Sequence, residues 1–177
     1  GGKGGLVGET QRVVNEESVV IDVADKASPS VVTVSIQTPR RSVFNFSPFG
    51  GFQQRVEGGT PQDIGTGFVI SKSGLIITNK HVVSTDGSYK VITQDNKEYD
   101  VKQISRDPSN DIAILKIDAN DLKPVELGDS TNLKVGQTVI AIGTALGEFR
   151  HTVTTGVISG LGRGITAGSV YEGYVEK

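Results

Sequence analysis

Cysteine, methionine and tryptophan are all missing from the 177-residue chain, and histidine occurs only as His81 and His151. Without cysteine there are no disulfides, no thiolate zinc sites and no thiol nucleophile, and two histidines cannot build a multi-histidine metal centre. Any metal would have to rest on carboxylates, and no cofactor is expected. An excess of charge is lacking too: 18 Lys and Arg face 20 Asp and Glu, a formal net charge of -2 with both signs mixed along the sequence. No basic stripe is available to neutralise phosphates, so nucleic acid is not expected as a partner. No apolar run approaches the roughly 18 to 20 residues that a membrane-spanning helix needs. The opening Gly1-Gly2-Lys3-Gly4-Gly5 has neither an initiator methionine nor the apolar stretch of a signal peptide. The expectation is a start produced by cutting or engineering, with room ahead of it for a signal peptide or a membrane anchor. The lack of thiols suits oxidising and reducing compartments equally, so it leaves location open.

What is present points to β structure. The chain is 36% hydrophobic and 21% charged, enough apolar mass for a core. It holds 23 Val and 15 Ile against 8 Leu, with 23 Gly and 6 Pro, a balance that favours short strands joined by tight turns. Residues 1–15 are glycine-rich and then polar, and read as a flexible arm or an oligomer contact. From Glu16 to Ala27 apolar residues recur at helical spacing behind Glu16 and Glu17, so one short helix is expected before Pro29 stops it.

Strands are expected at Val31–Ile36, Gly67–Ser71, Leu75–Thr78, Tyr89–Gln94, Glu98–Ile104 and Asp111–Ile117, the later ones as a meander, then at Thr138–Ile142 and Thr152–Ser159. Between them lies a long loop, residues 38–64, with Phe44, Phe46, Phe49 and Phe52 within nine positions. So many aromatics in a loop call for a docking surface, whether on this subunit, a neighbour or a ligand. The domain reading is an arm over 1–15, a helix and a first closed β-barrel over 16–123, and the start of a second barrel over 124–177.

Two residues stand out chemically. His81 follows a β-branched strand in Thr78-Asn79-Lys80-His81-Val82-Val83, and Asp111 opens the apolar segment Asp111-Ile112-Ala113-Ile114-Leu115-Lys116. Either alone reads as an ordinary structural residue. Together they can meet across a cleft.

Three ordered blocks, Gly65-Thr66-Gly67-Phe68-Val69-Ile70, Ile76-Ile77-Thr78-Asn79-Lys80-His81-Val82-Val83 and Asn110-Asp111-Ile112-Ala113-Ile114-Leu115-Lys116, closely resemble the HtrA/Deg family of trypsin-like serine proteases. The resemblance runs from about Val19 to Ser159. It implies a trypsin-like double β-barrel with the first barrel complete and the second partly present. It also implies His81 as general base and acid, and Asp111 as the carboxylate that orients it. Further implications are unfolded or misfolded protein as substrate, a homo-oligomer (a trimer in the family) supported by the N-terminal segment, an extracytoplasmic location, and a regulatory role for the Phe-rich loop.

The chain departs from the family in two places. No serine stands in a Gly-x-Ser-Gly-Gly context, so the nucleophile is expected beyond the region matched by Tyr171–Lys177, and the chain alone is expected to be inactive. Gly143-Thr144-Ala145-Leu146-Gly147 carries Thr and Ala where relatives usually carry Asn and Pro. His151 lies in no matching block and reads as a surface or loop residue. The leading reading is therefore an HtrA-like serine endopeptidase of protein quality control working by acyl transfer. The alternatives are a noncatalytic binding or chaperone-like module on a protease fold, and an inactive half-molecule that needs a separate serine-bearing portion.

Overall fold

The computed structural model describes residues 17–145, 149–162, 167–168 and 175–176. The proposed N-terminal arm, the corner residues Leu146 and Gly147 and the segment Tyr171–Tyr174 lie outside them. Residues 17–27 form the expected helix, α1, whose half-buried positions Val20, Ala24 and Ala27 follow the i, i+4, i+7 spacing of one face. Lys123 Nζ donates to the Lys26 carbonyl and Lys26 lies 3.8 Å from Glu126, tying the end of α1 to the segment after the barrel. Pro29 then sits in a short 3₁₀ turn, Ser28–Ser30, that leads directly into the first strand. Among the described residues no helix is long and apolar enough to cross a membrane.

Six strands close into a barrel: β1 (Val31–Gln37), β4 (Gln62–Ser71), β5 (Leu75–Thr78), β8 (Ala113–Ile117), β7 (Glu98–Arg106) and β6 (Ser88–Ile92), in that order around it. The order is not that of a simple meander. β5 pairs with β8 rather than β6, and β6 returns to close on β1, which removes free edges at the cost of non-local pairing. Alternation along β1 explains its sequence. Val32, Val34 and Ile36 enter the barrel core with Val69, Ile76, Val91, Leu115 and Ile117, while Thr33 and Ser35 on the other face are also buried. Each large aliphatic side chain removed from water contributes roughly 1.5 to 3 kcal/mol. The turn expected at Lys72-Ser73-Gly74 forms, with Gly74 at φ +93° and its carbonyl accepting from the Ile117 amide at 2.9 Å, so the turn is stitched to the neighbouring strand.

The buried Thr33 face of β1 is covered by a second unit, the antiparallel pair β9 (Thr138–Ala145) and β10 (Phe149–Val157). Thr33 and Thr144 share a hydroxyl–hydroxyl bond of 2.8 Å, and the Thr144 amide donates to Thr66 Oγ1 at 2.7 Å. Thr144, one of the two departures from the family pattern, thus makes the polar seam between the two units. Beside it Arg150 grips Asp63 with two bonds, Nε to Oδ2 at 2.7 Å and Nη2 to Oδ1 at 3.1 Å. Two-residue strands β11 (Ala167–Gly168) and β12 (Val175–Glu176) also pair.

Two further expectations are corrected. Residues 38–64 are not an irregular loop: they contain a hairpin of β2 (Arg41–Ser47) and β3 (Gly51–Glu57), in which Phe46 faces Phe52. Alternation is confined to Phe44-Asn45-Phe46, and the density of turn-forming and polar residues around it masks the strand signal. His151 is not a loop residue either. It lies in β10 at a register irregularity between Phe149 and Thr152, in the left-handed region at φ +55°, with both ring nitrogens buried and unpartnered among the described residues.

Candidate active site

His81 is delivered by the end of β5. That strand stops at Thr78, whose hydroxyl donates to the Thr66 carbonyl at 2.8 Å, and the chain turns through Asn79 into a 3₁₀ turn, Lys80–Val83. The turn is held from below by Val82 and Val83, both buried in the barrel core. Gly65 makes room for it, because a Cβ at that position would meet both Val82 methyl groups at 2.7 Å. The Gly-Thr-Gly pattern therefore has a physical reason: its first glycine admits the residue next to His81, and its threonine bonds both the Thr78 hydroxyl and the β9 seam. Ser84 Oγ donates back to the His81 carbonyl at 2.8 Å, and the Arg106 guanidinium donates to the Val83 carbonyl, closing the turn.

Asp111 arrives from the opposite side, in the turn just before β8. The turn is shaped by Asp107, whose Oδ1 accepts the amides of Ser109 and Asn110 at 2.8 and 2.7 Å. Those amide bonds hold the Asp107 carboxyl below its ordinary value. Lys80 Nζ donates to the Asp107 carbonyl at 3.1 Å, so the two turns are joined directly. β5 and β8 are barrel neighbours, with Thr78 opposite Ala113, and this pairing carries His81 and Asp111 to the same end of the barrel although 30 positions separate them in sequence.

The two residues read from the sequence meet in the structure. His81 Nδ1 lies 2.6 Å from Asp111 Oδ2, and the His81 backbone amide donates to Asp111 Oδ1 at 2.9 Å. Asn79, in the same block, joins them, although nothing in the sequence around it names a partner. Its side-chain amide donates to Asp111 Oδ2 at 3.1 Å and to the Asp111 carbonyl at 3.2 Å. Burial pushes the Asp111 carboxyl upward, but the bonds from the His81 amide and ring, the imidazole charge and the Asn79 amide outweigh it, so its pKa lies below the ordinary carboxylate value. An ionised Asp111 requires the proton on Nδ1 of His81, leaving Nε2 as the basic nitrogen. The imidazole is about half exposed at 49%, against 23% for Asp111, so the ring faces solvent while its partner is shielded. Among the described residues no cluster of three or more His, Cys, Asp or Glu is placed to hold a metal ion.

His151 stands apart from this pair. Burial, followed by the nearby Arg150 charge, holds its pKa below the ordinary histidine value.

A closed barrel that presents a His–Asp pair on one rim defines a class of protein, and the family comparison agrees with it. The chain belongs to the trypsin-like peptidase domain family, whose model matches residues 65–176. Within that family its likeness is to HtrA/DegP-type serine endoproteases. It is 47% identical over 119 residues to a probable periplasmic serine endoprotease DegP-like from Pseudomonas fulva, covering 67% of this chain and 24% of the relative. To the protein of the same description from a Marinomonas strain it is 37% identical, covering 81% of this chain and 35% of that one. A chloroplastic Protease Do-like 1 from Arabidopsis thaliana is 35% identical, with 92% and 35% covered. Among solved structures, the HtrA-type protease AlgW with a decapeptide superposes with a TM-score of 0.65 at 26% identity, covering 88% of this chain and 50% of that one. The chain thus spans about a quarter to a third of the length of the curated relatives it matches.

Proposed function

We propose that the chain supplies the general base and its orienting carboxylate to an HtrA-type serine endopeptidase. The observation that supports it most is the His81–Asp111 geometry: Nδ1 to Oδ2 at 2.6 Å, with the other carboxylate oxygen held by the His81 amide at 2.9 Å. In this reading a serine hydroxyl contributed from outside the described residues attacks the peptide carbonyl while His81 Nε2 removes its proton. Asp111 holds the tautomer and stabilises the imidazolium, and His81 then returns the proton to the leaving amine. Water, activated by the same imidazole, hydrolyses the acyl-enzyme.

The wider role follows from the relatives. Relatives described as probable periplasmic serine endoproteases support a location outside the cytoplasm, and the resemblance to the HtrA/Deg family adds unfolded or misfolded protein as the substrate. The β9–β10 pair is read as the opening of the second barrel. A homo-oligomer, a trimer by family resemblance, is supported by Val19, Ile21 and Val23 of α1, which remain exposed and offer apolar surface to a second copy. A membrane anchor ahead of the chain stays compatible with this arrangement. The exposed Phe residues of the β2–β3 hairpin favour the binding-module alternative, which leaves the His–Asp pair without a use.

The test uses the full-length protein. Asp111→Asn should lower kcat by roughly 10⁴-fold while leaving the fold intact, since it spoils the tautomer more than the packing. His81→Ala should abolish both turnover and labelling by a fluorophosphonate. Turnover at the parental rate in either variant would overturn the reading.

A further inference from the structure

Resting on that reading, we infer that Asn79 is a positioning residue of the His81–Asp111 pair, acting through the carboxylate. A lone carboxylate bonded only to an imidazole keeps a freely turning χ2 angle and so does not fix which oxygen faces Nδ1. Here three donors converge on it. The His81 amide takes Oδ1, while Oδ2 is shared between His81 Nδ1 at 2.6 Å and the Asn79 amide at 3.1 Å. Because Asn79 Nδ2 also reaches the Asp111 carbonyl at 3.2 Å, one amide grips the residue by both its backbone and its side chain.

Asn79 is itself well fixed. Its backbone is extended at φ -74° and ψ 144°, between the last residue of β5 and the 3₁₀ turn, and its carbonyl accepts the Val82 amide at 3.2 Å. The side chain that orients Asp111 and the ring that uses Asp111 therefore leave the same rigid segment two positions apart. The charged groups around the pair are engaged elsewhere: Lys80 with the Asp107 carbonyl, Arg106 with the Val83 carbonyl, and Asp107 with the amides of Ser109 and Asn110. Among the described residues, Asn79 is the one side chain besides His81 that bonds the Asp111 carboxylate.

Two consequences follow from sharing Oδ2. Removing the amide takes away one of the three donors that fix the carboxylate, so fewer molecules hold Nε2 in the productive direction and kcat falls. It also leaves the full charge of Oδ2 to the imidazolium, which is then held more tightly, and the acid limb of the kcat/KM profile moves to higher pH. Substrate binding is untouched, so KM does not follow.

The experiment is peptide hydrolysis by the full-length protein, with Asn79→Ala and Asn79→Asp beside the parent, His81→Ala and Asp111→Asn. Asn79→Ala should lower kcat about tenfold, about 1.4 kcal/mol in the barrier, with KM within about twofold and the acid limb displaced upward. Asn79→Asp keeps the shape but turns a donor into an anionic acceptor facing Oδ2, so it should be roughly tenfold worse than the alanine variant. A residue that only filled space would give the opposite order, because aspartate is the better mimic of asparagine. Parental kcat and an unmoved acid limb in Asn79→Ala, or Asn79→Asp at least as active as Asn79→Ala, overturns the inference. Should Asn79→Ala melt below the parent, the downfield Nδ1 proton resonance of His81 in folded Asn79→Asp decides: a shift supports the role and an unchanged signal overturns it. If His81→Ala and Asp111→Asn abolish hydrolysis while both Asn79 variants match the parent, only the role of Asn79 fails. If those two variants also hydrolyse at full rate, the protease reading fails and takes the Asn79 role with it.

Discussion

The barrel and the β2–β3 hairpin both carry large apolar side chains and treat them in opposite ways. In the barrel, Val34, Val69, Ile76, Leu115 and Ile117 are wholly buried; on the hairpin, Phe44, Phe46, Phe52 and Phe49 are 66%, 68%, 79% and 102% exposed. Yet both are antiparallel β structure with period-two side chains. The difference is closure. Six strands that return on themselves enclose an interior for one face of every strand, whereas a two-stranded ribbon has no interior and is marginal without further packing. Register puts Phe44, Phe46, Phe52 and Val56 on one face of the hairpin, where the contact between them is an edge-to-face pair of Phe46 and Phe52 with ring centres 5.4 Å apart. Side-chain hydrophobicity therefore contributes to stability in the first region and to surface chemistry in the second.

That contrast can be broken most forcefully inside the barrel. Leu115→Ala should cost about 2 to 5 kcal/mol through lost burial and the cavity left behind, read as a lower denaturant midpoint. Gly65→Val should cost about 1 to 3 kcal/mol, because its side chain would enter the space held by Val82, and it should depress turnover as the His81 turn is displaced. A compensating Val82→Ala should return part of both losses, which a double-mutant cycle would measure as a coupling; strict additivity would show that Gly65 does not act through Val82.

The seam between the barrel and β9–β10 is an intermediate case, and pH probes it. His151 binds its proton less readily in the folded chain than in the unfolded one. Its contribution to stability is thus complete above its unfolded pKa, near 6.5, and is lost as pH falls through the lower folded value. Asp111, also depressed, loses its contribution in a separate window beginning near pH 4. Melting curves between pH 7 and 5 should accordingly show a decline that His151→Asn flattens and Asp111→Asn leaves in place. The smallest effect belongs to the hairpin. Phe46→Ser should change stability by no more than about 0.5 kcal/mol while reducing the binding of an apolar dye. A large loss of stability would mean that the hairpin packs against something that the isolated fold does not contain.

Several elements were readable along the chain because their causes are local. The β-branched runs and the turn at Lys72-Ser73-Gly74 announce β4, β5 and β8, and Pro29 ends α1, all within a few residues of the features they dictate. His81 and Asp111 were legible through their surrounding blocks. Asn79 was equally visible as a letter but not as a partner, since an asparagine beside a histidine names no acceptor until β5 and β8 are known to pair. His151 was misread for a related reason: the burial of its ring nitrogens and its left-handed backbone at a β-irregularity leave no mark on neighbouring residues.

Composition, strand periodicity and turn chemistry were enough to make this a β protein with one histidine worth watching, because those properties depend on neighbours in the chain. Folding in three dimensions settled which faces are inside, why Thr33 and Thr144 are hydroxyl residues, and how 2.6 Å comes to separate two groups 30 positions apart. The reason is geometric. A hydrogen bond depends on the distance between atoms in space, and only strand pairing around the closed barrel converts separation along the chain into that distance.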